Sequence, residues 1–237
     1  MNSSSASTED KAIQYLEDKY DKEFEVMYAK KGSKLFEDLY GGDLITVHPK
    51  GEPDIVFTIQ EDGDEFVDLY LPAKWANELQ QKVEDQIASE FPPGTLFKVI
   101  LRNTGNDETL KTKSVEDILA TSKNVGVSII AGIKTSGEPD VNQYSQGIYN
   151  VFNLLKGLGT KQYVLSVGFV DESEDIDEYI NTAYINNLPW SNLDAKVYGE
   201  VNVDFRLDPE NPSPNVEPTM ILNGPENVIE NYESFEE

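Results

Sequence analysis

Two apolar stretches rich in Val and Ile, residues 125–133 and 163–170, bracket a segment whose apolar residues recur at helical spacing. This arrangement most narrows the folds open to the chain, because only strands flanking an amphipathic helix satisfy both periods. In the middle segment, 140–158, the stripe is Tyr144, Ile148, Val151 or Phe152, and Leu155. Asp140 and Gln143 resemble a capping box at its start, and Gly157 and Gly159 terminate it. An earlier helix is expected over 72–91, with Trp75, Leu79, Val83 and Ile87 at spacing four. Pro72 suits its first position, and Pro92-Pro93-Gly94 ends it before a short apolar strand at 96–101. Each half therefore sets a long helix before a strand, without any repeat at the level of residues.

The remaining elements follow from local chemistry. Ser7 or Thr8 caps a first helix with Glu9 and Asp10 in its first turn and Ile13, Leu16 and Tyr20 as its stripe. Phe24, Val26 and Tyr28 alternate with polar residues, so 23–30 reads as a strand. Strands at 44–48, 54–60 and 66–71 are separated by the Pro49-Lys50-Gly51-Glu52-Pro53 turn and by Asp62-Gly63, which gives an antiparallel meander. Ser114 caps a short helix bearing Val115, Ile118 and Leu119. Ser173 caps another bearing Ile176, Tyr179 and Ile180, and 196–207 is a strand. The fold class is thus α+β: antiparallel sheets with helices packed mainly on one face, in two packed subdomains. Residues 1–7 read as a flexible tether, 8–102 as an N-terminal subdomain, and 103–113 as a connecting loop. Residues 114–207 form a C-terminal subdomain, and 208–237 an acidic, Pro- and Asn-rich tail that is extended or partly disordered.

Charge and composition exclude several functions. The 237 residues include 19 Lys plus Arg against 44 Asp plus Glu, a formal charge of −25, with one His and no Cys. Without cysteine there are no disulfides, thiolate metal sites or Cys nucleophiles. The charge argues against nucleic acid, which is bound through Lys and Arg on phosphates. No run reaches the roughly 18 apolar residues of a membrane-spanning helix. The acidity reads plainly as a solvated surface, or alternatively as a face for a basic partner or for Ca²⁺.

Candidate chemistry is sparse. His48, beside Pro49, would need a nucleophile and an orienting carboxylate to act as a base; the plainer reading is surface. Gly126…Gly132-Ile133-Lys134-Thr135 lacks the Gly directly before Lys that a phosphate loop requires. Asp171, Ser173, Asp175 and Asp177 place oxygens at alternating positions, as a Ca²⁺ site would. An EF-hand loop starting at Asp171 needs Gly and Glu at its sixth and twelfth places, where Ile176 and Thr182 stand. The plainer reading is acids in the first turn of a helix. Glu61-Asp62-Gly63-Asp64-Glu65 reads as a hairpin loop. Trp75 fits a helix core. Trp190, beside Pro189, is the candidate exposed surface contact, its alternative being a loop aromatic anchored onto the domain.

Three patches carry a resemblance. They are Lys11-Ala12-Ile13-Gln14-Tyr15-Leu16-Glu17-Asp18-Lys19-Tyr20 with Glu23-Phe24-Glu25-Val26; His48-Pro49 and Asp54-Ile55-Val56-Phe57-Thr58-Ile59 with Tyr70-Leu71 leading into Trp75; and Tyr163-Val164-Leu165-Ser166-Val167-Gly168-Phe169. Together they resemble secreted or lipid-anchored proteins of Gram-positive bacteria. The resemblance implies an extracytoplasmic, surface-anchored lipoprotein and carries no activity or site residues. The Ser-rich opening is congenial to such an anchor, and equally to a plain cytosolic terminus.

The function expected is non-enzymatic binding of an unspecified ligand, with no cofactor apart from the Ca²⁺ alternative. Two readings of other classes stand beside it. One is an immunity or inhibitor protein that masks a basic partner with an acidic face. The other is a carboxylate-based hydrolase of cell-wall polysaccharide, which needs two carboxylates at defined separation.

Overall fold

The structure is a computed structural model and describes residues 7–32, 42–63, 65–105, 107–121, 124–160, 162–186, 188–205 and 222–235. Residues 1–6 of the expected tether, 206–207 of the strand expected over 196–207 and 208–221 of the expected tail lie outside them. The chain is α+β and divides into two units, Met1–Lys74 and Trp75–Glu237. The sequence placed the division at 103–113. That loop instead joins two strands, Leu96–Arg102 and Gly126–Thr135, hydrogen-bonded along their length in one sheet. A polar loop marks a change of direction whether or not the core behind it is continuous.

The first unit holds helix α1 (Thr8–Tyr20) and strands β1 (Phe24–Lys30), β2 (Leu44–Pro49), β3 (Phe57–Asp62) and β4 (Glu65–Asp68). The strands form an antiparallel sheet in chain order. Ser7 caps α1 reciprocally with Asp10 at 3.1 Å in each direction. Glu61-Asp62 and Glu65 lie in the hairpin joining β3 to β4, as expected. The alternation in β1 does not bury its apolar residues. The register slips between Val26 and Tyr28, and both are exposed. The bulge moves Tyr28 to the face opposite the one that a strict period of two would assign; Val26, before it, keeps the face of Phe24.

Asp68, fully buried at the end of β4, ties this unit together. It accepts from Lys19 Nζ and Tyr20 Oη, each at 2.8 Å, and from the Tyr70 amide at 3.1 Å. Phe24, Phe57 and Tyr70 pack edge-on or tilted against one another, with ring centroids 5.3–5.9 Å apart.

Helix α2 (Tyr70–Glu90) starts two residues before Pro72, so 70–71 are helical rather than the end of a strand. In the second unit follow β5 (Leu96–Arg102), α3 (Val115–Thr121), β6 (Gly126–Thr135), α4 (Asn142–Gly157), β7 (Gln162–Asp171), α5 (Asp177–Asn181), β8 (Val197–Phe205), α6 (Pro225–Glu230) and β9 (Tyr232–Ser234). The sheet order is β5-β6-β7-β8-β9. One pair departs from the antiparallel expectation: β6 and β7 are parallel, from Gly126↔Gln162 to Thr135↔Asp171. Returning to the same end of a sheet requires a crossover, and α4 supplies it. The segment predicted as a structureless tail also contributes, since 222–235 includes α6 and the edge strand β9.

Alternation in β7 assigns its faces. Tyr163, Leu165, Val167 and Phe169 are buried toward α4, where Phe152 meets Tyr163 and Tyr144 meets Phe169 at 5.5 and 5.3 Å. Trp75 is buried, as its spacing predicts, and donates from Nε1 to the Lys113 carbonyl at 2.9 Å. Gln80 of α2 accepts the Val99 amide of β5 at 3.0 Å. This satisfies a donor on an edge strand that the ladder leaves open.

Candidate functional site

The opposite face of the second sheet carries the candidate site. Register aligns rows of side chains across the strands there. Lys98, Ile130, Ser166 and Asn202 form one row; Ile100, Ser128 and Val164 form the next. A third runs through Leu96, Gly132, Gly168 and Glu200. The two adjacent glycines of this third row leave a shallow trough.

Trp190 fills that trough. A side chain added at Gly168 would overlap the indole, and one added at Gly132 would overlap Ile176. Trp190 is 2% exposed, donates from Nε1 to Ser166 Oγ at 3.0 Å, and meets the Tyr179 ring edge-on at 4.8 Å. Val170, Ile176 and Ile180 complete this cluster. The expectation of an exposed Trp190 is therefore corrected: the indole anchors the segment after β7 onto the sheet. Flat apolar rings on glycine bury large area with no intervening Cβ. Glycines inside two strand patterns were the available signal for this close approach.

Beyond the anchor, the sheet face and residues 179–186 and 188–190 line a cleft of about 510 Å³. That volume lies within the range of small-molecule sites. Ile100, Ile130 and Val164 form an apolar floor, while Ser128, Gln162, Ser166 and Asn202 present hydroxyl and amide groups. Glu200 lies at the anchored end and Arg102 at the other. Burial pushes the Glu200 carboxyl above the usual range; the Asn202 hydrogen bond opposes this and the Glu233 charge adds to it. Burial, with the Glu200 charge beside it, pushes Tyr179 up to about 12. The Tyr179 hydroxyl donates to the Leu188 carbonyl at 2.8 Å, which closes the covering segment on itself. None of these lining residues stood out in the sequence, apart from Trp190, because isolated Ser, Asn and Gln in strands carry no motif.

The acidic cluster is organised differently. Asp171 Oδ1 accepts from the Ser173 amide at 3.0 Å and its hydroxyl at 2.6 Å, and Oδ2 accepts from Tyr198 Oη. Asp175 accepts the Asp177 amide at 3.0 Å, at the start of α5. These carboxylates serve local donors, and the helix begins at Asp177 rather than at Ser173. Among the described residues, no group of three or more His, Asp and Glu side chains is placed to hold a metal ion. Millimolar Ca²⁺ is therefore expected to raise the melting temperature no more than Na⁺ at matched ionic strength. A clear Ca²⁺-specific rise would contradict this geometry.

Hydrogen bonds from Ser173 and Tyr198 hold the Asp171 carboxyl down to about 2. Its contribution to stability is complete above the ordinary value near ~3.9 and is lost as the pH falls from there through about 2. Tyr198→Phe removes one donor and is expected to move the Asp171 midpoint upward in an NMR titration. An unmoved midpoint would refute the assignment of that bond.

His48 sits in the first unit. Its Nδ1 donates to the Pro49 carbonyl at 2.9 Å, and Nε2 lies 3.9 Å from Glu25. Neither partner is a nucleophile, so the geometry is that of a half-buried strand-end residue. Gly126, Gly132 and Lys134 lie within β6 and form no loop. Among the described residues, no helix is long and apolar enough to cross a membrane.

Neither a family model nor a curated protein matches the chain. A crystal structure of a DUF5037 family protein from Ruminococcus gnavus is similar over 73% of this chain and 77% of that one, at 17% identity and a TM-score of 0.43.

Proposed function

We propose that the chain is a non-enzymatic binding protein whose second unit receives a small polar ligand in the cleft above its sheet. The observation that carries this reading is the cleft itself: about 510 Å³, with an apolar floor and hydroxyl, amide and carboxylate side chains converging on it. Such a mixture fixes the orientation of a ligand while an apolar surface supplies contact area. Ser128 lies on the sheet face between Ile100 and Val164, in a different row from the Gly132–Gly168 seat of Trp190, so Ser128→Trp is expected to fill the space.

Thermal shifts with sugars, polyols, amino acids and amines test the proposal. A ligand at ~100 times its Kd stabilises the native state by about 2.7 kcal/mol. The expected result is a shift in the wild type that Ser128→Trp abolishes. A shift of equal size in both proteins would place binding elsewhere and sink the reading.

The resemblance to secreted, lipid-anchored proteins supports an extracytoplasmic, surface-anchored address for this binding protein. Fractionation of the source cell tests it, and recovery in the cytosol alone would refute it.

A further inference from the structure

We infer that the ligand of this cleft is a cationic amine, its ammonium group held by Glu200 beside Tyr179. The inference rests on the cleft reading above and adds the chemical class of the ligand.

Register supplies the first reason. Glu200 of β8 stands directly opposite Glu233 of β9. Like charges directly opposite each other destabilise an antiparallel pair, and a bound cation relieves the repulsion. Among the described residues, no Lys, Arg or His forms an ion pair with either carboxylate; Lys98, in the next row of this face, donates to Asn181 at 3.0 Å.

The second reason is what surrounds Glu200. It lines the cleft together with the partly exposed Tyr179 ring, which the buried Trp190 indole holds in place edge-on. Aromatic faces attract a desolvated ammonium and offer nothing comparable to a neutral hydroxyl. An ammonium brings three donors and no acceptor. The side chains at this end, Glu200, Asn202 and Ser166, are rich in oxygen acceptors.

Position and field agree with this. Arg102, the cation of the lining, is level with Gln162, six residues along β7 from Gly168, the position level with Glu200. At strand rise this is about 20 Å, beyond strong repulsion in salt solution. The formal charge of −25 also raises the local concentration of cations around the whole protein.

The test uses the full chain, calorimetry at physiological salt, and two probes of one length: pentane-1,5-diamine and pentane-1,5-diol. The diamine is expected to bind and the diol to bind at least about tenfold more weakly, the discrimination of a paired charge. Glu200→Gln is expected to weaken the diamine at least about tenfold, with an unchanged circular dichroism spectrum. Glu233→Gln has a smaller effect, and Glu84→Gln, a remote exposed acid on α2, has none. Equal losses in Glu84→Gln and Glu200→Gln would reveal general surface attraction and overturn the inference. Diol binding as tight as diamine binding, abolished by Ser128→Trp, would overturn it while leaving the cleft reading intact. Binding of neither probe also overturns it, and the ligand panel with Ser128→Trp then judges the cleft separately.

Discussion

Trp190→Ala is expected to destabilise the second unit by about 3–5 kcal/mol, the cost of removing a buried Trp from a site that collapses incompletely. The indole is almost wholly buried on Gly132 and Gly168 and holds Ser166 and Tyr179. Its loss leaves Ser166 without that donor and frees 179–190 from the sheet, so ligand binding should fall with stability. The packing account makes a reciprocal demand. Gly168→Val overlaps the indole in the wild type, and overpacking of this kind costs about 1–3 kcal/mol. In the Trp190→Ala background the new side chain enters vacated space and should cost little. Urea unfolding of the four proteins gives the coupling energy, expected within about 0.5–3 kcal/mol. An equal cost of Gly168→Val in both backgrounds would refute direct contact.

Asp68→Ala should destabilise the first unit by a comparable amount, about 3–5 kcal/mol, because it removes one partner of a buried ion pair and strands the other. Lys19 is 14% exposed at its side chain and cannot turn to water without leaving the Asp68 site. Burial works against the Lys19 charge, yet the hydrogen bonds and charges of Asp68 and Tyr15 outweigh it and raise its pKa. Burial first, then the Asp68 charge, raises Tyr20 as well. Both shifts have the same sign. Their contribution is complete below the ordinary values near ~10 and is lost as the pH rises beyond them. The wild type should therefore lose protection of the β2–β3 amides to hydrogen exchange in alkali. Asp68→Asn, which keeps the shape but not the charge, should start less protected and depend less on pH. An alkaline profile identical to that of the wild type would show that Asp68 does not govern these groups.

Much of the fold was legible because it is local. Ser7, one of the two caps expected, caps α1, and the stripe of α4 is buried at Ile148, Phe152 and Leu155. The meander of β2, β3 and β4 follows from turns a few residues long. Errors arose where a distant partner overrode the local pattern. Tyr28 alternates correctly with Phe24 and Val26 yet lies on the other face because β1 bulges against β2 after Val26. The loop at 103–113 looks like a linker, although β5 and β6 pair across it. The candidate site was nearly invisible. Its polar lining consists of single Ser, Asn, Gln and Glu residues on three strands, and only their register places them together.

Local pattern was thus enough for the longer helices and most strands, for the acidic composition and for the exclusion of thiol chemistry. These depend on composition and on periods of 3.6 and 2, which neighbouring residues settle among themselves. Only the tertiary structure decided that β6 and β7 run parallel, that Trp190 is buried, and that Ser166, Asn202 and Glu200 share a cleft. Trp190 is 22 residues from Gly168, and Glu200 is 32. Contacts at such separations form only when burial across the whole sheet offsets the entropy of closing the chain between them.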